Sequence, residues 1–210
     1  MNMRNQASQS YSFSRLLDIF GAVLLLALSW PIFVLLFLCN LRHPGQLLYR
    51  HVRVNSQGGD FDCLKFRTME ISADTTLEAF LNNDPLLREE WTCRQKLFND
   101  PRVTRVGKIL RKSSLDELPQ LFNVLRGEMS LVGPRPVTRK ELEQYGDQVS
   151  LLLSVRPGMS GLSQVSGRSE LDYQSRVALD IWYVQNRTFQ LDCWILLKTI
   201  PTVVRGKGAY

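Results

Sequence analysis

Two adjacent carboxylates, Asp116 and Glu117, stand in the run Ser113-Ser114-Leu115-Asp116-Glu117-Leu118-Pro119-Gln120, between the basic residues Lys108, Arg111 and Lys112 and a proline. Adjacent residues do not share a helix face, so the two side chains must point in different directions. An enzyme can use that divergence, with one carboxylate as nucleophile and the other as an oxygen ligand for a divalent cation. A structural reading competes: Ser114-x-x-Glu117 fits a capping box. Pro119 favours another arrangement, as the first residue of a following helix. Both carboxylates would then sit just ahead of a helix N-terminus, where the field favours their ionised form.

The cations around this pair come from stiff segments. In Gly133-Pro134-Arg135-Pro136 the flanking prolines hold Arg135 on an extended backbone, which suits a guanidinium fork meant for phosphate. Arg156 precedes Pro157-Gly158, and Arg168 follows Gly167 in a Gly/Ser-rich loop. Lys65 and Arg67 flank Phe66, either as solvated strand-edge charges or as phosphate contacts. The chain has neither GxxxxGK[ST] nor GxGxxG after a strand, so neither a P-loop nor a dinucleotide fold is available. Arg111, Arg135, Arg156 and Arg168 around Asp116 and Glu117 suit a diphosphate substrate with Mg²⁺.

Composition narrows the partners. The 210 residues are 44% hydrophobic, enough for one core, and the net charge of +6 points to an anionic partner. Nucleic acid ranks low, because no binding motif occurs and aromatics are not interleaved with the basic stretches. Cys39, Cys63, Cys93 and Cys193 are scattered without metal or disulfide spacing, so they read as reduced thiols facing a cytosol. His43 and His51 are the two histidines, too few for a His-based metal cluster.

The elements that must position these groups follow in order. Residues 1–14 are polar and expected to be loose. Ile19–Leu41 carries no charge and is long enough to cross a bilayer. Arg4 and Arg15 precede it while Arg42, Arg50 and Arg53 follow, so the positive-inside rule wants both ends on the cytoplasmic side. That predicts a re-entrant helix–break–helix hinged at Ser29-Trp30-Pro31, with the Ser29 hydroxyl satisfying the carbonyl that Pro31 releases. A kinked single-pass anchor is the alternative. Alternation predicts a hairpin of Leu47–Val54 and Phe61–Phe66 around Gln57-Gly58-Gly59-Asp60. Helical spacing follows in 74–98, broken at Asp84-Pro85, and in the cationic 102–112. It resumes in Leu121–Leu125, which stops at Gly127, and in two closing helices, the second apolar enough for a membrane surface or the core.

Four stretches together resemble the bacterial sugar transferase family, the monotopic polyprenol-phosphate phosphoglycosyl transferases. They are KFRTM (Lys65–Met69), NDPRVTRVGKILRKSSLDELPQLFNVLRGEMSLVGPRP (Asn99–Pro136), VRPGMSGLSQVSGR (Val155–Arg168) and the ending LLKTIPTVVRGKGAY. REEW (Arg88–Trp91) and RVALDIWYVQNRTF (Arg176–Phe189) look most like the catalytic part of undecaprenyl-phosphate galactose phosphotransferases, without their multi-pass N-terminal region. The resemblance implies transfer of a sugar-1-phosphate, with galactose a guess from likeness, from a UDP-sugar to undecaprenyl phosphate. In family terms Asp116 is the nucleophile, Glu117 helps hold Mg²⁺ and Arg135 binds phosphate. Arg111 and Arg168 are further contacts, and the anchor is re-entrant. Many relatives have Ser directly before Pro, whereas here Trp30 intervenes.

The expectation is therefore an α+β, mostly α enzyme with a flexible 1–14, a re-entrant membrane helix over 15–41 and a catalytic domain over 42–210. A small hairpin and interfacial amphipathic helices would surround a cytosolic active site on the cytoplasmic face of the bacterial inner membrane. The partners are a UDP-sugar, undecaprenyl phosphate and membrane lipid, with no nucleic acid and with a homo-oligomer as one open assembly. The phosphate-binding candidates are Lys65, Arg67, Arg111, Arg135, Arg156 and Arg168. The rival functions are a membrane-anchored Mg²⁺-dependent nucleotide-sugar diphosphatase and a non-enzymatic scaffold for anionic lipid.

Overall fold

The computed structural model describes residues 3–41, 47–94, 97, 100–167 and 171–205. Its first element is one long helix, α1 (Met3–Leu41). The polar segment expected to be loose joins this helix from Met3. It contains neither Gly nor Pro, and lengthening an existing helix avoids the cost of a new nucleus. Within α1, Ser14–Leu38 is long and apolar enough to cross a membrane. The expected interruption at Ser29-Trp30-Pro31 is absent, since α1 continues through Pro31. Ser29 Oγ donates to the carbonyls of Leu25 at 2.6 Å and Leu26 at 3.3 Å. The carbonyl that Pro31 leaves without a partner, four residues back, is that of Ala27. A helical serine reaches back three or four residues, so Ala27 is out of range and that expectation is corrected.

The hairpin forms as the alternation predicts, β1 (Leu48–Val54) pairing antiparallel with β2 (Asp60–Phe66). Asn55 Oδ1 accepts from the amides of Gln57 and Gly59, and Gly58 takes φ +77° to close the turn. The two-piece helix also forms, as α2 (Ala73–Asn83) and α3 (Pro85–Arg94). Asp84 Oδ1 caps the second piece by accepting from Leu86 N at 2.9 Å, with Pro85 at its first position. Helix α4 (Arg105–Lys112) starts later than the predicted 102, because Thr104 Oγ1 caps it by accepting from Gly107 N. A 3₁₀ turn, Leu115–Glu117, leads into α5 (Gln120–Arg126), which ends at Gly127 with φ +83°.

Two strands escaped the sequence reading. β3 (Ser130–Val132) and β4 (Gly158–Ser160) form a short parallel pair that joins the two Pro/Arg/Gly loops. Three residues are too few to show a period of two. Gly158 is required there, since a Cβ would lie 2.0 Å from the backbone nitrogen of Gly133. Between these strands lie α6 (Arg139–Leu142), a 3₁₀ segment (Glu143–Gln148) and α7 (Val149–Leu152). After them come α8 (Leu162–Ser166) and the closing helices α9 (Tyr173–Asn186) and α10 (Phe189–Arg205). The fold is α+β and mostly helical.

The main core gathers Ala22 of α1, Phe61 and Cys63 of β2, Leu121 and Val124 of α5, and Tyr183 and Ile195 of α9 and α10. Helix α1 is joined to this body near both ends of its apolar segment. At one end, Arg15 donates to the last carbonyls of α5, Val124 O at 2.7 Å and Leu125 O at 3.0 Å. Asp18 Oδ1 accepts from Ser130 Oγ and from the amide of Leu131, each at 2.8 Å. At the other end, Phe33 packs on Phe66 and Phe122 at ring distances of 5.0 and 6.0 Å, and Leu36 joins Phe66 and Leu110. The remaining apolar residues of α1, from Leu16 to Leu38, are largely exposed.

Candidate active site

The carboxylate pair lies in the 3₁₀ turn between α4 and α5, and Pro119 is the N-cap residue of α5. That agrees with the proline reading to within one position. The capping-box reading does not hold, because Ser114 makes no side-chain cap bond and its backbone is left-handed, with φ 56°. A tight turn rather than a continuous helix therefore carries the two carboxylates. Asp116 is buried at 9% exposure, while Glu117 stays half-open beside Lys65.

Lys65, near the end of β2, donates from Nζ to Glu117 Oε1 at 2.6 Å. Burial pushes the Asp116 carboxyl up to about 6, against the pull of Lys65 and with the push of Glu117; Arg111 also pulls it down. At neutral pH this carboxylate is mostly ionised yet poorly hydrated, the condition of a reactive oxygen nucleophile. Arg111 is aimed from α4 by Thr68, whose Oγ1 accepts from Arg111 Nε at 2.9 Å. The Thr68 carbonyl accepts from Thr104 N, and Gly107 sits so close that a Cβ would lie 2.0 Å from the same oxygen.

Asn123 was not singled out from the sequence, although an asparagine inside Leu121-Phe122-Asn123-Val124-Leu125 is a visible anomaly in an apolar run. It is fully buried and ties α5 to β2. Its Nδ2 donates to Asp62 O and to Glu128 Oε2, each at 2.7 Å, and its Oδ1 accepts from Leu64 N at 3.0 Å. The strand that carries Lys65 is thereby locked to the helix that follows Glu117. Thr68 and Gly107 were missed as well, and no local pattern marks them, since their importance lies in a contact across 39 residues of chain.

The other predicted cations fall into distinct places. Arg135 is exposed between buried prolines. Its loop is held by Arg53 Nη1 donating to Pro136 O at 3.1 Å and by Gly158 N donating to Pro134 O at 2.8 Å. Arg135 and Lys65 both act on His51 and Cys63, the cross-strand pair of the hairpin, so the positive field continues from one to the other. Burial, with Arg53 and then Lys65 and Arg135 beside it, pushes His51 down to about 4. Burial pushes the Cys63 thiol up to about 11, which makes it an inert core group. Arg67 stacks over the Tyr49 ring at 5.5 Å. Arg156 lines a separate cleft that includes none of Lys65, Arg111, Asp116 and Glu117. Arg168 lies outside the described residues.

Among the described residues no three His, Cys, Asp or Glu side chains converge as a metal cage. The half-open Glu117 still fits Mg²⁺, which is usually held by one or two carboxylates and completed by substrate phosphates and water. A buried carboxylate with its half-open neighbour, Lys65 and Arg111 around it has the groups to receive a diphosphate and attack it.

The profile described as bacterial sugar transferase matches residues 9–206. The chain is 48% identical over 207 residues to an undecaprenyl-phosphate galactose phosphotransferase of Salmonella typhimurium, a match covering 98% of this chain and 44% of that protein. It is 48% identical over 197 residues to the exopolysaccharide production protein ExoY of Rhizobium meliloti, covering 93% of this chain and 87% of that one. A UDP-glucose:undecaprenyl-phosphate glucose-1-phosphate transferase of Caulobacter vibrioides is 40% identical over 206 residues, covering 93% and 71%. The chain spans less than half the length of the Salmonella relative.

Proposed function

The chain belongs to the bacterial sugar transferase family, and from that premise we propose that it moves a sugar-1-phosphate from a UDP-sugar to undecaprenyl phosphate. The observation that carries this reading is the buried, poorly hydrated Asp116 carboxylate beside the Lys65–Glu117 ion pair.

In the first step an Asp116 carboxylate oxygen attacks the β-phosphorus of the UDP-sugar. The bond from that phosphorus to the bridging oxygen breaks, and UMP leaves with the electron pair. The product is an aspartyl-phosphosugar. In the second step an oxygen of the lipid phosphate attacks the same phosphorus and breaks its bond to Asp116. The carboxylate is regenerated and undecaprenyl-diphosphate-sugar is formed. Glu117 would hold Mg²⁺, which when bound neutralises charge on the diphosphate. Lys65 holds Glu117 in place, Thr68 aims Arg111, and Arg135 offers a fork to phosphate from its stiff loop. Galactose is the proposed sugar, supported by likeness to the Salmonella relative, with glucose the alternative suggested by the Caulobacter one.

We further propose that α1 is re-entrant in the bacterial inner membrane, with the catalytic body on the cytoplasmic face. Arg15 and Phe33, 18 positions apart on α1, both touch α5, a helix of seven residues. A straight span would set these positions about 27 Å apart along the bilayer normal, at 1.5 Å per residue. The hydrocarbon core is about 30 Å thick, so α5 would have to lie inside it. Tilting α1 towards the membrane plane shortens that separation along the normal and lets both of its ends meet one face. The exposed apolar residues Val106 and Ile109 of α4 and Trp194, Leu197 and Ile200 of α10 suit helices lying on the same surface.

The deciding experiment is UMP release from a panel of UDP-sugars with Mg²⁺, with and without undecaprenyl phosphate. Release that needs the lipid is expected, and the responding sugar names the donor. Sustained release without lipid would replace the transferase by a diphosphatase.

A further inference from the structure

Arg156 was expected beside the carboxylate pair but lines a different cleft, of about 580 Å³, between the start of the apolar segment of α1 and the body. Two more arginines line it, Arg15 of α1 and Arg187 from the connection between α9 and α10, together with Ser130 and Ser154. Three guanidinium groups from three separate parts of the chain converge on one concavity. Arg15 uses one Nη1 and one Nη2 contact on the end of α5, and Arg187 contacts Asp192 Oδ2 at 3.4 Å from Nε and Nη2. Asp18 also lines the cleft, but its Oδ1 is already occupied by Ser130 Oγ and Leu131 N. Counting Asp18 and Asp192 against the three arginines leaves the cleft net positive.

The occupant is indicated by what borders the cleft. Leu16, 65% exposed, is one of its lining residues, and Phe20, 70% exposed, lies one turn further along α1 on the same face. A cationic concavity therefore opens directly onto an apolar track at the polar end of the membrane segment. We propose that this cleft binds the phosphodiester headgroup of an anionic membrane lipid, whose acyl chains run along Leu16 and Phe20. The inference rests on the membrane placement of α1 proposed above, and not on the transferase reaction. Such a lipid would pin the start of α1 against the body, in a cleft whose lining includes neither Lys65 nor the carboxylates.

The test uses the full chain purified in a non-ionic detergent. Dihexanoyl phosphatidylglycerol, dihexanoyl phosphatidylcholine and glycerol 3-phosphate are titrated below micelle concentration, and binding is read by thermophoresis. Saturable binding of the phosphatidylglycerol is expected, with much weaker binding of the other two. Arg156→Gln should weaken it by about tenfold or more, the worth of one charge-assisted hydrogen bond, and Arg156→Lys should restore part of the loss. Arg156 is the residue to change because Arg15 and Arg187 also hold α5 and Asp192. Equal binding of the two lipids, or unchanged binding in Arg156→Gln, would overturn the proposal. Glycerol 3-phosphate binding as tightly as the phosphatidylglycerol would assign the cleft to free phosphate instead. Co-flotation of the protein with phosphatidylcholine vesicles reports the membrane placement separately, so its failure is not mistaken for failure of the cleft.

Discussion

Lys65 Nζ and Glu117 Oε1 lie 2.6 Å apart, which fastens the end of strand β2 to the 3₁₀ turn that carries Asp116. The pair sets the field at the buried carboxylate in opposing ways: Lys65 holds its pKa down and Glu117 pushes it up.

In the proposed reaction, attack by Asp116 needs the ionised form. Replacing Lys65 by Met removes the largest influence that lowers its pKa, so the acidic limb of kcat/KM should move to higher pH. Glu117→Gln should move the same limb to lower pH, whatever it does to the maximum. Profiles between pH 5 and 9 check both signs. Limbs that stay put would mean that Asp116 is not the group being titrated.

Asp116→Asn should lower turnover by roughly a thousandfold or more, as expected on removing a covalent nucleophile. The folded protein should not suffer. The Asp116 pKa is raised from 3.8 to about 6, so its contribution to stability is fully present below about 3.8 and lost as pH rises through 6. At pH 7.5 the asparagine variant should therefore match or exceed the parent, by about 1–2 kcal/mol after discounting for partial exposure. That advantage should vanish as pH falls towards 4. Thermal melts across this range measure it.

Thr68→Val keeps the shape of the side chain but removes the oxygen that accepts from Arg111 Nε. The melting temperature should change little while kcat/KM falls about tenfold, the worth of one charge-assisted hydrogen bond. Gly107→Ala should behave differently, because its Cβ would sit 2.0 Å from the Thr68 carbonyl and the backbone must move. A loss of about 2–4 kcal/mol in stability, read by denaturant unfolding, is expected.

Asn123→Ala leaves the buried amide of Leu64 without its acceptor and removes the Asn123 bonds that tie β2 to α5. An unsatisfied buried group and two further lost bonds should cost about 2–4 kcal/mol. Loss of the Lys65–Glu117 alignment should show as reduced turnover even at temperatures where the variant is folded.

Single cysteines placed at Ser10 and Leu48 lie on either side of the uncharged run Ile19–Leu41. A membrane-impermeant thiol reagent should label both from the cytoplasmic side only. Labelling from opposite sides would establish a spanning helix and remove the re-entrant topology.

Short-range chemistry was legible in the residues alone. Alternation and a Gly-Gly turn specified the hairpin, Asp84-Pro85 specified the break between α2 and α3, and Gly127 specified the end of α5, because each depends on backbone preferences within a few residues. The uncharged run in α1 and the acidic pair at 116–117 were equally plain, being matters of composition and adjacency. Tertiary structure decided the rest. The β3–β4 pair joins residues 28 apart, Thr68 meets Arg111 across 43, and Asn123 meets Leu64 across 59. Only folding brings such partners together, and no local periodicity encodes them. Folding also divided the arginines, leaving Arg111 beside Asp116 and turning Arg156 towards the cleft under α1. Sequence can count the positive charges and show which backbones are stiff. Where each charge points depends on how the loops that carry them pack.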